Sequence, residues 1–439
     1  MKLQLDFIDI VDVKFGDKTC VKDGILFINK KEAEAHVLAD QKIASVSIEI
    51  LHPGDKVRLI NLQDVVQPRC KVSPEGGDFP GYLSPIHSAG SGHTVALRGT
   101  AVAVTNPDTD RGYSAFLDMD GPVSKASRYG HMPIISLEPR KPADVECDEF
   151  DVHMKRSALN LGVYLAKAGI GAPVAETKIR ELDLWNLPKD SKLPRVAYYY
   201  QMYTSQHDHR GVSEPFFYGT EIRHMLPTII HPNEVLDGGI IDPIPMKGLD
   251  TYSIQNHAVI NELYDRHGKD LLFCGLIVGA AHMDPIQRER RAMIVSGIAK
   301  EVFNADGIII TKVHGGMPHL DLAVIAEECE KKGIKSVLWA QGLNSNGTIA
   351  ENALFQGPLL NAVIFNGVTV ERIKVPFKAE RVIGGTMETK VFHPDHVFQQ
   401  VKDEVVETEE FLFAGIHDHT GGVATGPDGR PFPAGEDAA

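Results

Sequence analysis

Leu271-Leu272-Phe273-Cys274-Gly275-Leu276-Ile277-Val278 is a continuous apolar run of strand length. A helix-spaced segment follows from Pro285 to Phe303, and a second apolar run from Gly307 to Val313. Buried strand, amphipathic helix and buried strand in succession predict a parallel sheet, because the crossover helix must cover a face of the strands it joins. The pattern extends both ways. Upstream lie helix-spaced residues from Ser157 to Lys167, a strand from Arg195 to Tyr203 and a helix from Ala258 to His267. Downstream come a helix from Leu320 to Lys332 and strands from Lys335 to Ala340 and Asn361 to Phe365.

The first third has a different grammar. Short β-branched or alternating runs recur at Gly24 to Ile28, Ala44 to Ile50, Lys56 to Val66 and Thr94 to Val104. Turn-rich stretches such as Pro74 to Gly81 separate them, and no clear helical period is expected before about Met154. The expected fold class is therefore α/β, with a β-rich N-terminal domain (1–150) and a mainly parallel-sheet α/β domain (151–372). A C-terminal extension (373–439), Gly/Pro-rich from Gly421, would complete the chain.

Bulk properties narrow the function. The 439 residues are 43% hydrophobic and 24% charged, which suits a globular chain of two or three domains. A net charge of -14 repels phosphate backbones, and no Lys/Arg stripe overrides it, so no nucleic-acid partner is expected. Met1 to Asp6 has no basic flank before an apolar stretch, and no apolar run approaches the ~20 residues of a membrane helix. Five scattered cysteines, with no C-x-x-C spacing, suggest neither a disulfide framework nor a cysteine zinc site. A cytoplasmic protein with no membrane contact is the expectation.

Ligands of open parallel sheets bind beyond the carboxyl ends of the strands, where loops diverge and helix N-termini point inward. Three such ends are readable: Ala281-His282-Met283-Asp284-Pro285, His314-Gly315-Gly316-Met317-Pro318-His319, and Gln341-Gly342-Leu343-Asn344. The expected catalytic residues are His282, Asp284, His314 and His319, imidazole being suited both to proton transfer near neutral pH and to metal ligation. Gly315 and Gly316 would let the backbone approach a ligand, and Asn344 would help to bind it. The His314 to His319 stretch reads equally as a strand-to-helix turn with two solvated histidines.

Other candidates carry less. His207-Asp208-His209 and His417-Asp418-His419 could each put two imidazoles on one side of a strand, so a divalent metal is possible, though no full ligand signature occurs. Arg69-Cys70-Lys71 brackets a thiol with cations that would acidify it, while a small buried thiol fits the same residues. Arg69 and Cys70 are kept as expected substrate-binding residues. Neither a phosphate-cradling nor a dinucleotide fingerprint is present.

Taken as a set, several stretches resemble the component B proprotein of glycine, sarcosine and betaine reductases. They are Pro68-Arg69-Cys70-Lys71-Val72, Gly76-Gly77-Asp78-Phe79-Pro80-Gly81, Gly90-Ser91-Gly92-His93-Thr94 and Leu97-Arg98-Gly99. Leu193 to Val196, Glu234-Val235-Leu236-Asp237-Gly238 and Leu263 to Lys269 continue the match, which runs to about Gly367. The resemblance implies a proprotein that cuts itself before a cysteine and keeps a pyruvoyl group. It also implies a partner whose selenocysteine or cysteine attacks the substrate reductively.

The resemblance places that cysteine between Gly239 and Tyr252. Here Ile240 to Thr251 holds no Cys or Ser, and Thr251 is its single hydroxyl, with Ser253 just beyond. No pyruvoyl group is expected, so an amine could not be held as an imine. Three functions follow. One is a subunit of a hetero-oligomeric reductase-type complex that cleaves a C–N or C–S type bond in a small amino-acid or betaine-like substrate. It would pair with a second component-B-like subunit carrying a reactive Cys or selenocysteine. The others are a non-catalytic scaffold for that partner, and a metal-dependent hydrolase or lyase using the strand-end histidines.

Overall fold

The computed structural model describes residues 1–72, 76–108, 115–188, 191–202, 216–222, 224–241, 249–282, 284–312, 318–342, 359–360, 362–368, 373–376, 379–385 and 405–408. The fold is mixed α/β with several sheets, as expected. Six strands form the sheet announced by the apolar runs. Its order is Thr228–Ile230, Leu272–Ala280, Arg195–Met202, Gly307–Lys312, Lys335–Gly342 and Val363–Val368. All neighbours are parallel except the short Thr228–Ile230 strand, which runs against Leu272–Ala280. Every residue of Leu272–Ala280 is buried, which is why the run reads as continuously apolar rather than alternating. Helices Pro285–Gly297 and Pro318–Lys331 pack together, and Ala258–Arg266 packs on the Leu272–Ala280 strand.

Two further sheets build the N-terminal region. One has the order Glu176–Glu181, Lys2–Asp9, Gly92–Arg98 and Arg69–Lys71. The other has the order Ala115–Asp118, Val57–Val66, Ala101–Thr105, Ile134–Arg140 and Ser45–Leu51, with Arg381–Ile383 beside Val57–Val66. The Lys2–Asp9 strand serves two cores. Leu3, Leu5 and Phe7 belong to the cluster built on the parallel sheet, while Ile8 belongs to the N-terminal cluster, as period-2 alternation directs.

The sequence reading needs correcting in three places. The run Thr94 to Val104 is two strands, broken at Gly99, whose φ of 91° and approach to Ile10 (a Cβ would sit 2.3 Å from its carbonyl oxygen) admit no side chain. A helix, Lys30–Val37, interrupts the β-rich third. Its buried stripe is only Ala33 and Val37, too narrow to show as a period, and Asn29 caps it through Glu32 N at 3.2 Å. Helix Cys147–Lys167 also starts before Met154, with Phe150, Met154, Ala158, Leu161 and Leu165 forming its buried stripe. Among the described residues, no helix is long and apolar enough to cross a membrane.

Candidate functional site

Strand Arg69–Lys71 delivers Lys71 to a buried position beside helix Pro232–Leu236, whose C-terminal cap is Asp237. Lys71 Nζ donates to Asp237 Oδ2, to Ser91 O at 2.7 Å and to Thr94 Oγ1 at 3.1 Å. Asp237 also accepts from Thr94 Oγ1 and from Gly90 N, both at 2.8 Å. A carboxylate with this many donors is fixed in position. Asp78 accepts from Lys71 N at 2.7 Å, and burial pushes its carboxyl above the usual range. The residues enclose a cavity of about 20 Å³, roughly the space of one water.

Glycine makes this packing possible. Gly90 has φ 91°, and a Cβ there would sit 2.9 Å from the Asn233 backbone. Four of the separate stretches that carry the family resemblance, around Arg69, Asp78, Gly90 and Asp237, thus meet at one point in space.

Beside this point lies a wider opening. Ala89 N donates to the Tyr218 hydroxyl at 3.1 Å, and that hydroxyl donates to Glu234. Burial, then the Glu234 carboxylate, holds the phenol above its normal range. Tyr218 lines an open cavity of about 740 Å³ together with Ile86, Phe217, Ile222, His224 and Met225. The Phe217 and Tyr218 rings meet edge to face, 4.9 Å between centroids.

His224 connects this cavity to the carboxyl edge of the parallel sheet, its ring centroid lying 6.5 Å from that of His282. His282 follows the Leu272–Ala280 strand, and its backbone N–H donates to Asp321 Oδ2 at 2.7 Å. Its Nδ1 accepts from Asp284 N at 3.1 Å, so the neutral ring carries its proton on Nε2. Burial, then the charge of Arg291, lowers the imidazole pKa and keeps the ring neutral. Burial raises the Asp321 carboxyl to about 7, against the opposing pull of His282 N–H, Arg288, Arg291 and Lys312. A carboxyl raised toward neutral pH beside a neutral imidazole at a sheet edge is a pair of groups suited to proton transfer.

The expected site residues are placed unequally. His282 stands at the predicted strand end. Asp284 is the N-cap of helix Pro285–Gly297, accepting from Gln287 N at 2.9 Å. His319 falls in the first turn of helix Pro318–Lys331, but its side chain lies outside the described residues. His314, Gly315, Gly316 and Asn344 lie outside them, as do both His-Asp-His clusters. Among the described residues, no three His, Cys, Asp or Glu side chains are grouped to hold a metal ion.

Arg69 is buried, with its guanidinium bound to Gln67 Oε1, Leu236 O and Asn256 Oδ1 at 2.6 to 3.1 Å. Of the two readings of Cys70, the small buried thiol is the one the structure bears out. It is 1% exposed, and burial, then the charge of Asp78, pushes it up to about 12. Lys71, Tyr218, His224, Asp237 and Asp321 were not singled out as site residues from the sequence. For Asp321, its place in the first turn of a helix after a strand end was the available signal.

A family model described as glycine/sarcosine/betaine reductase component B subunits matches residues 1–421. The chain belongs to this family. The glycine reductase complex component B subunits alpha and beta of Acetoanaerobium sticklandii are 30% identical over 390 residues, 88% of this chain and 89% of that protein. The betaine reductase complex component B subunit alpha of Peptoclostridium acidaminophilum is 32% identical over 394 residues, 86% of each chain. The sarcosine reductase complex component B subunit alpha of the same organism is 31% identical over 344 residues, 77% of this chain and 79% of that protein. No solved structure matches the chain. The convergence at Lys71 and Asp237 is therefore a meeting of this component B member's resemblance-carrying segments.

Proposed function

We propose that this component B family member is a subunit of a reductase-type complex, and that it acts on a small amine-type substrate without a pyruvoyl group. The observation that carries this is the segment between Gly239 and Tyr252, which has family-like sequence on both sides and neither Cys nor Ser within it. A hydroxyl or thiol is needed to take over the acyl group in self-cleavage. Thr251 is the remaining hydroxyl, and it donates to the buried Asp64 carboxyl at 2.6 Å while its own N–H donates to the same residue at 2.9 Å. That double contact ties Thr251 down as the first residue of helix Thr251–Gln255.

Reductive cleavage of a C–N or C–S type bond needs two electrons: a partner subunit's cysteine or selenocysteine would displace the leaving group at carbon, and a second thiol would then release the product by closing a disulfide or selenide–sulfide bond. This chain would bind and orient the substrate in the cavity bounded by Tyr218 and His224, and would move protons through His282 and Asp321. His314 and His319 remain proposed members of the same site, and Gly315, Gly316 and Asn344 its proposed binding backbone and side chain. Cys70 has no part in it as a nucleophile. The curated relatives' names place those proteins in reductase complexes, which supports the subunit reading.

Intact-mass measurement of the purified protein tests the proposal. One uncleaved chain, unreactive to hydroxylamine, is expected. Two chains split between Gly239 and Ile254, with a carbonyl that hydroxylamine captures, would end this reading.

A further inference from the structure

Arg291 lies in helix Pro285–Gly297 with its side chain turned inward, 2% exposed. Among the described residues, no carboxylate comes within ion-pair distance of its guanidinium. Its hydrogen bonds go to Gln287 O, Gln287 Oε1 and Met225 O, each at 3.4 Å, and Nε makes none. Good guanidinium contacts are shorter by about half an ångström. Taking a charge out of water costs far more than three such long contacts return.

The nearby carboxyl is Asp321, which lies 3.5 Å from Arg288 Nε and which burial raises to about 7. The Tyr199 phenol and the Gln201 amide are buried in the same neighbourhood. The carbonyl that Arg291 touches belongs to Met225, which with His224 walls the 740 Å³ cavity. Arg291 therefore sits directly behind that wall, beside His282, whose pKa its charge helps to depress.

We propose that Arg291 anchors a carboxylate group of a small ligand that occupies this cavity. That the ligand is the substrate rests on the reductase reading above; the anion site itself does not. A carboxylate would take two guanidinium N–H groups at once. The 3.4 Å contacts, one of them to the Met225 backbone carbonyl, are long and cheap to exchange for a carboxylate. Among the described residues the cation thus has no ion-pair partner at contact distance, and the ligand carboxylate supplies one.

The test uses the full chain, with sodium acetate as the carboxylate probe and methylammonium chloride and inorganic phosphate as controls at matched ionic strength. Thermal unfolding and titration calorimetry are the readouts. Acetate should raise the melting temperature saturably, and neither control should match it. Arg291→Met should raise the melting temperature of the ligand-free chain and abolish the acetate effect. Arg291→Lys, which keeps the charge but not the fork, should bind acetate at least tenfold more weakly at unchanged stability.

An acetate effect retained in a folded Arg291→Met overturns the proposal. Should Arg291→Met fail to fold, Arg291→Lys decides alone: undiminished acetate binding overturns the anchor. Acetate binding lost on substitution supports the anchor even if no partner-dependent turnover is found, an outcome that would sink only the reductase reading.

Discussion

Lys71 and Asp237 are 166 residues apart in the chain and form an ion pair whose side chains are 5% and 4% exposed. Removing one partner leaves the other charged and buried. Asp237→Leu should therefore destabilise the fold by about 3–5 kcal/mol. The double variant Lys71→Met/Asp237→Leu should recover most of that loss, since a buried pair replaced by apolar groups is often close to neutral. Urea unfolding of both variants checks this, and equal losses in the two would mean the pair itself is strongly stabilising.

Gly90→Ala should be among the most damaging single-methyl additions. It combines a positive φ with a contact of 2.9 Å to the Asn233 backbone, which cannot yield as a flexible side chain would. A loss of several kcal/mol, from strain plus overpacking, is expected. Gly54→Ala is the control: its φ is also positive, at 94°, but nothing lies within 4 Å. Equal melting temperatures for the two variants would refute the close-packing argument.

Buried carboxyls set part of the pH dependence of stability. Burial raises Asp321 and Asp64 to about 7 and Asp250 to about 6. Between the unfolded carboxyl pKa of ~4 and these values, the folded state binds more protons than the unfolded one. Each group's contribution is thus full at low pH and is lost as pH rises from about 4 to 7. Burial lowers His257 to about 3, which acts in the opposite direction, removing stability as pH falls below about 6.5. Asp321→Asn should flatten the loss between pH 4 and 7, as measured by urea unfolding at a series of pH values. A steeper slope in that variant would contradict the sign.

His282→Ala, assayed in the assembled complex, should lower turnover by about 10²–10⁴-fold if the ring serves as acid or base. Its side chain accepts one hydrogen bond, from Asp284 N, so the denaturation midpoint should move little. Loss of folding with loss of activity would make the residue structural.

Purification from the native host should bring a second reductase-type subunit with this chain. Size-exclusion chromatography coupled to mass spectrometry reports it. A lone monomer at physiological concentration, with nothing co-eluting, would remove the subunit reading.

Long elements were legible because their periods are local. Leu272–Ala280 lacks polar residues since both its faces are covered, and the stripe ending in Leu161 and Leu165 repeats at the helical pitch. Lys30–Val37 was missed because a two-residue stripe has no measurable period. Of the candidate site, His282 at a strand end could be read from the order of elements. So could the burial of Cys70, since a free cysteine is usually buried, whereas the partners taken by the flanking Arg69 and Lys71 heads could not.

The sequence by itself determined the alternation of buried strands and amphipathic helices, the strand-end position of His282, the family-like stretches and the absence of Cys and Ser from Ile240 to Thr251. Each is a property of neighbouring residues or of residue identity. The tertiary structure alone decided that Lys71 meets Asp237, that Tyr218 donates to Glu234 at the rim of a cavity, and that Arg291 is buried with no carboxylate at ion-pair distance among the described residues. Those outcomes depend on how segments far apart in the chain are packed together. Burial then sets the energy of a charge through the solvent removed around it, which no local pattern records.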